Sequence, residues 1–337
     1  MSSEERELDS AVKGNGSPLV SVIIPTRNRS SFLERAIESV LAQTYKKIEL
    51  IVVDDASDDD TAGSVMALRE KVPGLVYIRN EKPGGGAASR NTGIRKASGE
   101  YIAFLDDDDE WMPGKLNAQV DFFRAHPDIA AVSCYFIIKK DGRTVKVRKQ
   151  EAISFDDMLW DNFMGSFSFA MVRSSIFGKV GYLSEDLSSC HDWDFWIRVA
   201  RIYRIGVVPE FLCVYRWHTA NISDWTERTL DNYAMVYEKN KDLMSRECRK
   251  YHLKKQMIFR SKLKDGRGRR MRDFIMSFKR SGIPFTEEFT FVVKGLLALF
   301  FRDLISGHAM RRANGLFQEA EREELADLYA EIHKDRR

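Results

Sequence analysis

Cysteine is scarce in this chain, with four residues among 337 and no two of them close in sequence. Without a Cys-x-x-Cys pair the sequence offers no thiolate zinc site, and scattered thiols do not make the disulfide framework of a secreted protein. We therefore expect a reducing compartment, the cytoplasm. The four thiols are Cys134, Cys190, Cys213 and Cys248.

Long apolar runs are missing as well. No run of about twenty apolar residues exists, so no segment is predicted to span a membrane. Residues 1–17 are polar and charged, lack the apolar core of a signal peptide, and are expected to form a disordered lead-in. The formal net charge is only +3, so the local distribution of charge is more informative than its sum.

What the N-terminal part does contain is an alternation of apolar runs and helix-forming segments. Residues 20–24, 48–53 and 75–79 have the composition of strands buried in a parallel sheet. Between them, apolar side chains recur at helical spacing over residues 30–43, and a second helix is predicted over residues 61–71. This order predicts a doubly wound α/β domain with right-handed crossovers.

An apolar run after residue 100 ends in five consecutive acidic residues, Asp106 to Glu110. Adjacent carboxylates repel one another, and they become useful when a hard divalent cation lies among their oxygens. In an extended backbone, Asp106 and Asp108 would lie on one side and Asp107 on the other. Asp109 and Glu110 are expected to begin the next helix. A solvated acidic turn that caps this helix is the alternative.

A glycine-rich turn, residues 84–86, leads into a helix that is predicted to end near residue 97. Free backbone amides at such a turn can bind phosphate. The turn matches neither the dinucleotide fingerprint nor the P-loop, so both of those nucleotide-binding folds are excluded. Arg90, one helical turn further on, is the type of residue that binds a diphosphate, and a surface salt bridge is the alternative.

Further strands are predicted in the second half of the chain. Residues 129–139 and 143–148 flank an Asp-Gly pair, which is a hairpin signal. Residues 168–173 are predicted to form a strand, and so is a segment that begins at residue 211 and ends at His218. A lone histidine after a strand is either structural or a metal ligand.

Asp192 lies in the first turn of a predicted helix that ends near residue 200. Free amides at a helix N-terminus favour a carboxylate, so a structural N-cap is one interpretation. The same amides lower the pKa of a carboxylate and make it a weaker base. Catalysis by Asp192 would therefore require burial, or a polarised acceptor, to compensate.

The C-terminal third is basic. Residues 238–280 contain sixteen Lys or Arg against five Asp or Glu. An apolar segment follows at residues 289–305, interrupted by Lys294 and Gly295. Together, residues 238–305 could make a peripheral membrane contact, while solvated helices packed on the globular domain are the alternative. No nucleic-acid-binding motif accompanies the basic run, so nucleic acid is not an expected partner.

Four motifs stand in the order that is seen in bacterial family 2 glycosyltransferases, and the chain resembles that family over about residues 18–221. The resemblance implies the GT-A fold, with a central, mostly parallel sheet flanked by helices. We expect a GT-A domain over residues 18–225 and a helical, basic C-terminal region over residues 226–337. The motifs are residues 22–29 (VIIPTRNR), 52–61 (VVDDASDDDT), 84–93 (GGGAASRNTG) and 104–109 (FLDDDD).

On the donor side, the resemblance implies a role for each matching residue. Pro25, Thr26 and Arg27 would lie beside the nucleotide base and ribose. Asp55 resembles the family residue that hydrogen-bonds the base, and Asp54 belongs to the same nucleotide-binding pair. Arg90 would lie near the diphosphate or the ribose.

The acidic stretch resembles the family's Asp-x-Asp motif. It implies that Asp106 faces the ribose, that Asp107 belongs to the sugar-nucleotide site, and that Asp108 binds Mn²⁺ or Mg²⁺. Asp192 falls where the family has its general base, although His191 replaces the usual Glu before it. His218 resembles a late histidine that sometimes lies near the metal, and it is the weakest of these correspondences.

The resemblance therefore implies a metal-dependent, inverting transfer of a sugar from a nucleotide-diphosphate sugar, most simply a UDP-sugar, to an acceptor hydroxyl. A glycan or lipid-linked acceptor of the bacterial envelope, reached from the inner face of the cell membrane, is the expected partner. Two alternatives are a catalytically silent binding or scaffold protein and a sugar-nucleotide pyrophosphorylase. The second would carry a glycine-rich loop after the first strand, which residues 25–28 (PTRN) lack.

Overall fold

The computed structural model describes residues 16–72, 74–140, 143–148, 153–217 and 226–262. The chain divides into two compact units, Met1–Cys248 and Arg249–Arg337. The predicted lead-in up to residue 15, the turn at residues 141–142, His218 and the apolar segment 289–305 lie outside the described residues. The predicted division of the chain at residue 226 stays a prediction.

A single mixed sheet organises the first unit. Within the described residues it has nine strands in the order β3–β2–β1–β4–β8–β6–β9–β5, with β7 paired to β6. The strands are β1 (Val20–Thr26), β2 (Ile48–Asp54), β3 (Val76–Arg79), β4 (Tyr101–Phe104), β5 (Glu110–Trp111), β6 (Ile129–Lys140), β7 (Arg143–Arg148), β8 (Met171–Arg173) and β9 (Arg204–Trp217).

The first four strands run parallel to one another, as the alternation of strands and helices predicts. The register aligns Thr26 at the end of β1 with Asp54 at the end of β2. Because carboxyl ends of parallel strands meet at one edge, the motif residues that follow β1, β2 and β4 converge there. Strand β8 then pairs antiparallel with both β4 and β6, which makes the second half of the sheet mixed.

Helices between the first four strands follow the predicted pattern. In α1 the side chains of Leu33, Ala36, Ile37 and Val40 are buried, at the spacing of one helical face. The helices are α1 (Ser30–Leu41), α2 (Thr61–Lys71), α3 (Gly85–Lys96), α4 (Lys115–Ala125), α5 (Phe155–Trp160), α6 (Phe177–Val180), α7 (His191–Ile202), α8 (Glu227–Asn240) and α9 (Arg246–Lys262).

Close contact between α3 and β1 fixes the position of Arg90. A Cβ atom on Gly93 would lie 2.5 Å from Cγ2 of Ile23, so no larger residue fits without moving the helix. Ile23 belongs to the buried core of the sheet. Helix α3 is thereby held against the strand whose end carries Thr26, and Arg90 points into the same edge of the sheet.

Three sequence predictions need correction. Glu110 does not begin a helix: Glu110–Trp111 form β5, which pairs with β9, and α4 begins only at Lys115. The strand predicted from residue 168 begins at Met171, because a 3-10 turn, Phe167–Phe169, precedes it. Strand β9 begins at Arg204 rather than residue 211, because it pairs along β6 from Ile129 onward.

Helix α8 packs on the segment that carries Asp192. The rings of Tyr233 and Trp193 stack with centroids 4.9 Å apart. The side-chain amide of Asn232 lies within hydrogen-bond distance of the hydroxyls of Ser188 and Ser189, at 2.8 and 3.0 Å. The loop before α7 is therefore supported by a helix from beyond residue 225.

Candidate active site

Asp54 and Asp55 follow β2 and have different surroundings. Both oxygens of the buried Asp54 are used internally: Ser57 N–H donates to Oδ1 at 2.8 Å and Tyr77 hydroxyl donates to Oδ2 at 2.6 Å. Ala56 then adopts a left-handed backbone conformation with φ of 57°, which is uncommon for a residue with a Cβ. Asp54 thus shapes the turn that presents Asp55.

Asp55 binds the glycine-rich turn. The N–H groups of Gly84 and Gly85 each donate to it at 2.8 Å, and Asn80 Nδ2 donates at 2.9 Å. Burial raises the pKa of Asp55, but the hydrogen bonds from Gly84, Asn80 and Gly85 outweigh burial and hold that pKa below its ordinary value. Two amides considered as phosphate donors are therefore engaged by an ionised aspartate of the chain itself.

Asp107 and Asp108 share one arginine. Arg29 Nη1 lies 3.1 Å from Asp107 Oδ1 and 2.9 Å from Asp108 Oδ2. Thr26 Oγ1 donates to the other oxygen of Asp107 at 2.8 Å. The expected alternation, with Asp107 opposite Asp108, does not occur, because β4 ends at Phe104 and the chain turns after it.

Burial dominates the electrostatics of the acidic stretch. It raises the pKa of Asp107 to about 6, against the opposing charge of Arg29 and with the repulsion of Asp108. Asp109 is buried, and burial together with the charges of Asp108 and Asp106 raises its pKa well above the ordinary value. Arg216 N–H donates to Asp109 Oδ1 at 3.1 Å. Asp109 is therefore a core residue beneath the site.

Arg90 connects Asp106 to the segment that carries Asp192. Its Nη2 donates to Asp106 Oδ1, and its Nη1 lies 3.3 Å from His191 Nε2. The guanidinium stacks over the Phe167 ring, 4.7 Å from the centroid. Arg90 is only 6% exposed, so the alternative of a surface salt bridge is wrong.

His191 and Asp192 begin α7. Cys190, the residue before them, has a left-handed φ of 58°, so the helix starts abruptly at this point. Burial and the charge of Arg90 lower the pKa of His191 to about 3, so its imidazole is neutral and can accept a hydrogen bond at Nε2. Because the His191 imidazole is neutral, it does not offset the positive charge of the Arg90 guanidinium that it contacts.

Asp192 has a hydrogen bond on each oxygen. Trp193 N–H donates to Oδ1 at 2.9 Å, and Asn162 Nδ2 donates to Oδ2 at 2.9 Å. Burial raises the pKa of Asp192, while the bond from Trp193 and the charge of Arg90 lower it. The net shift is upward, so burial supplies the compensation that a basic Asp192 requires at a helix N-terminus.

Pro25 and Arg27, the other predicted nucleotide-binding residues, differ in exposure. Pro25 is half-buried in β1 beside Val53, and Arg27 is exposed. Sequence reasoning missed Arg29, Asn162 and Ser166. Only Arg29 carried a signal, since it ends the first motif; the other two lie in a loop with no recognisable pattern.

The residues present fit a divalent cation that is completed by the substrate. Among the described residues there is no group of three or more His, Cys, Asp or Glu that could hold a metal by itself. Mg²⁺ and similar ions are commonly held by one or two carboxylates plus substrate phosphates. Asp108 offers such a carboxylate, since its side chain is 11% exposed.

Comparisons with known proteins identify the family to which the chain belongs. A family model described as glycosyl transferase family 2 matches residues 21–181. An uncharacterized glycosyltransferase of Rickettsia prowazekii is 31% identical over 231 residues, covering 66% of this chain and 71% of that protein. A Campylobacter jejuni protein named GalNAc(5)-diNAcBac-PP-undecaprenol beta-1,3-glucosyltransferase is 35% identical over 204 residues, covering 56% of this chain and 65% of that protein.

Among solved structures, Staphylococcus aureus TarS 1-349 in complex with UDP-GlcNAc aligns with a TM-score of 0.55. The alignment covers 81% of this chain and 75% of that chain at 19% identity. At this level of identity the similarity establishes a shared fold and nothing about the substrate.

Proposed function

Because the chain belongs to glycosyl transferase family 2 and is a glycosyltransferase with the GT-A fold, we propose that it transfers a sugar from a nucleotide-diphosphate sugar to an acceptor hydroxyl with inversion. One observation carries this proposal. Arg90 pairs with Asp106 on the donor side and contacts His191, the neighbour of Asp192, on the other side. These contacts support one site that contains both the proposed donor-facing acid and the proposed base, which is partly buried.

The nucleotide would bind along the carboxyl ends of β1, β2 and β4. Pro25, Thr26 and Arg27 would line the base and ribose, and Asp55, held by the glycine-rich turn, would accept a hydrogen bond from the base. Asp54 would act indirectly, because its hydrogen bond with Ser57 N–H shapes the turn that presents Asp55. Hydrogen bonds from Gly84, Gly85 and Asn80 hold the Asp55 carboxylate in place, and the Ser89 side chain also stabilises its ionised form.

The diphosphate would be bound by Arg90 together with Mn²⁺ or Mg²⁺. Asp108 is the proposed ligand, Asp106 the residue facing the ribose, and Asp107 the buried carboxylate that fixes Thr26 and Arg29. When bound, such an ion neutralises negative charge on the leaving diphosphate. His218, which lies outside the described residues, stays a weak second candidate for the cation.

Asp192 would remove the proton from the acceptor hydroxyl while the oxygen attacks the anomeric carbon. The bond from that carbon to the diphosphate breaks, and the diphosphate leaves with the electron pair. Attack from the face opposite the leaving group inverts the configuration. The raised pKa of Asp192 makes it a stronger base than a solvated aspartate.

A glycan or lipid-linked acceptor of the bacterial envelope is the proposed partner. The Campylobacter relative is named for an undecaprenol-diphosphate-linked substrate. In the part of the chain that the structure describes, no helix is long and apolar enough to cross a membrane. Peripheral contact through residues 238–305 would bring the enzyme to such an acceptor.

Membrane contact can be tested in the full chain. Replacing Arg267, Arg269, Arg270 and Arg272 with Glu should reduce cosedimentation with vesicles that contain anionic phospholipid, since each basic residue near such a surface contributes about 1 kcal/mol. Vesicles of neutral phosphatidylcholine are the control. If the wild type and the four-residue variant bound equally to anionic vesicles, a membrane contact through these basic residues would be contradicted.

The proposed reaction can be tested by a screen of uridine, guanosine and thymidine sugar nucleotides with Mn²⁺. We expect slow donor hydrolysis, and transfer when an acceptor is supplied, with one class of nucleotide. Absence of hydrolysis, transfer and metal-dependent binding with every donor would favour a silent binding or scaffold protein. Formation of a sugar nucleotide from a sugar phosphate and a nucleoside triphosphate would favour a pyrophosphorylase.

A further inference from the structure

Asn162, in the loop after α5, holds the proposed base. Its Nδ2 donates to Asp192 Oδ2 at 2.9 Å and to the carbonyl of Gly165 at 3.0 Å. Gly165 N–H lies 3.2 Å from Asn162 Oδ1 and donates to it. Because the amide oxygen accepts from Gly165, the amide nitrogen has to face Asp192, so its orientation follows from the network.

The Gly165 turn reaches the donor side. Gly165 has a left-handed φ of +71°, and a Cβ there would lie 2.8 Å from the Phe169 ring, so only glycine fits. The next residue, Ser166, donates its hydroxyl to Asp106 Oδ2 at 2.9 Å. Asn162 is therefore linked through Gly165 and Ser166 to Asp106, the carboxylate that is proposed to face the ribose.

A second connection closes a ring. Asp106 accepts from Arg90, Arg90 contacts His191 Nε2, and His191 is covalently adjacent to Asp192. The two paths, one through Asn162 and one through Arg90, join the same pair of carboxylates. Asp106 and Asp192 are thus held by independent elements, the loop after α5 and helix α3.

We propose that Asn162 is a positioning residue, which holds the Asp192 carboxylate towards the acceptor and ties it through the Gly165–Ser166 turn to Asp106. This inference rests on the proposed function, in which Asp192 is the base. A hydrogen bond from a neutral amide to a carboxylate favours the ionised form. Loss of that bond removes one of the hydrogen bonds that stabilise the ionised Asp192 carboxylate, while the bond from Trp193 N–H stays in place. The Asp192 carboxylate is then more easily protonated.

Two variants test this role. Asn162→Ala removes the donor, and Asn162→Asp keeps the shape while placing an acceptor against Asp192. The pH dependence of kcat/KM for transfer is measured for each, together with UDP affinity by calorimetry and the thermal unfolding temperature. We expect the acidic limb to move to higher pH from wild type to Asn162→Ala to Asn162→Asp. At neutral pH the rate should fall about tenfold or more, because a hydrogen bond to a charged group is lost.

Recovery at high pH distinguishes positioning from a merely structural role. If Asn162 acts on Asp192, part of the lost rate returns above the new acidic limb, while UDP affinity stays within about twofold, a difference of about 0.4 kcal/mol. Asn117→Ala is the matched control, since Asn117 accepts an exposed hydrogen bond from Thr44 far from Asp192 in the sequence, and its pH profile should equal that of wild type. An equal loss of rate at every pH, with the limb unmoved, would overturn the proposal.

Asp192→Asn separates this inference from the proposed function. If Asp192→Asn transfers sugar at the wild-type rate, the base assignment is wrong and the role of Asn162 is wrong with it. If Asp192→Asn is inactive while both Asn162 variants keep the wild-type acidic limb, only the positioning role is wrong.

Discussion

Asp55, in the proposed donor half of the site, and Asp192, in the proposed acceptor half, have pKa shifts of opposite sign. On the donor side, backbone amides hold the pKa of Asp55 below its ordinary value, and Asp107 and Asp108 share Arg29. On the acceptor side, burial raises the pKa of Asp192. A binding site benefits from fixed charge, whereas a base has to accept a proton. We propose that nucleotide binding depends on Asp55 and that proton removal depends on Asp192.

The largest effect is expected at Asp192. Asp192→Asn should lower transfer by about a thousandfold, because general-base catalysis contributes about 10²–10⁴-fold. UDP affinity by calorimetry should not change, since the donor half is intact. Asp186→Asn, on an exposed carboxylate 3.9 Å from Lys239, is the control. Loss of UDP affinity in Asp192→Asn would show that the two halves are not separate in function.

Asp55→Asn should produce the converse pattern. The new amide NH₂ would face a backbone N–H that now donates to Asp55, and an unpaired buried donor costs about 1–3 kcal/mol of unfolding free energy. UDP affinity should fall by about tenfold or more, which denaturation and calorimetry would measure. The exposed Asp121→Asn is the control.

The pH dependence of unfolding gives Asp55 a second signature. Its pKa is lowered in the folded state, so its stabilising effect is present above an unfolded pKa of about 3.9 and is lost as pH falls through the folded value. Asp55→Asn should therefore lose less stability than wild type on acidification. Parallel curves for the two proteins would contradict the contacts of Asp55.

Arg29 offers a test of the metal site. The guanidinium lies against Asp107 and Asp108, where it competes with a cation for carboxylate oxygen. Arg29→Met should tighten Mn²⁺ binding in the presence of UDP by about tenfold, or 1.4 kcal/mol. The electron paramagnetic resonance signal of free Mn²⁺ would measure this change. Arg35→Met, at a half-exposed arginine 3.9 Å from Glu110, is the control. Weaker binding would mean that Arg29 instead holds the carboxylates in place for the metal.

The smallest effect concerns the support of the acceptor half by α8. Tyr233→Leu removes the stack on Trp193 and should lower the unfolding free energy by about 1 kcal/mol. Transfer should fall more than UDP affinity, because Trp193 follows the base. Tyr233→Phe keeps the ring and should resemble wild type. If Tyr233→Leu lowered sugar transfer and UDP affinity equally, the Tyr233–Trp193 contact would not act on the acceptor half alone.

The donor half was largely predictable because its residues follow strands in sequence. Thr26, Asp54, Asp55 and Asp106 each come directly after an apolar run, and parallel strands bring such ends together. Their roles in binding nucleotide stay predictions. The acceptor half was less predictable, since Asn162 and Asp192 meet only through a loop of irregular conformation and a helix that begins at a left-handed Cys190.

The sequence by itself determined the α/β class, the order of the early strands and helices, and the set of carboxylates available for chemistry, because local periodicity and residue type encode these. Only the tertiary structure decided the burial and the hydrogen-bond partners of each carboxylate. Burial made Asp109 a core residue, Arg29 joined Asp107 to Asp108 across a turn, and Asn162 met Asp192 over a separation of thirty residues. Desolvation and hydrogen-bond partners set the pKa of a carboxylate, and both arise from contacts between segments distant in the chain.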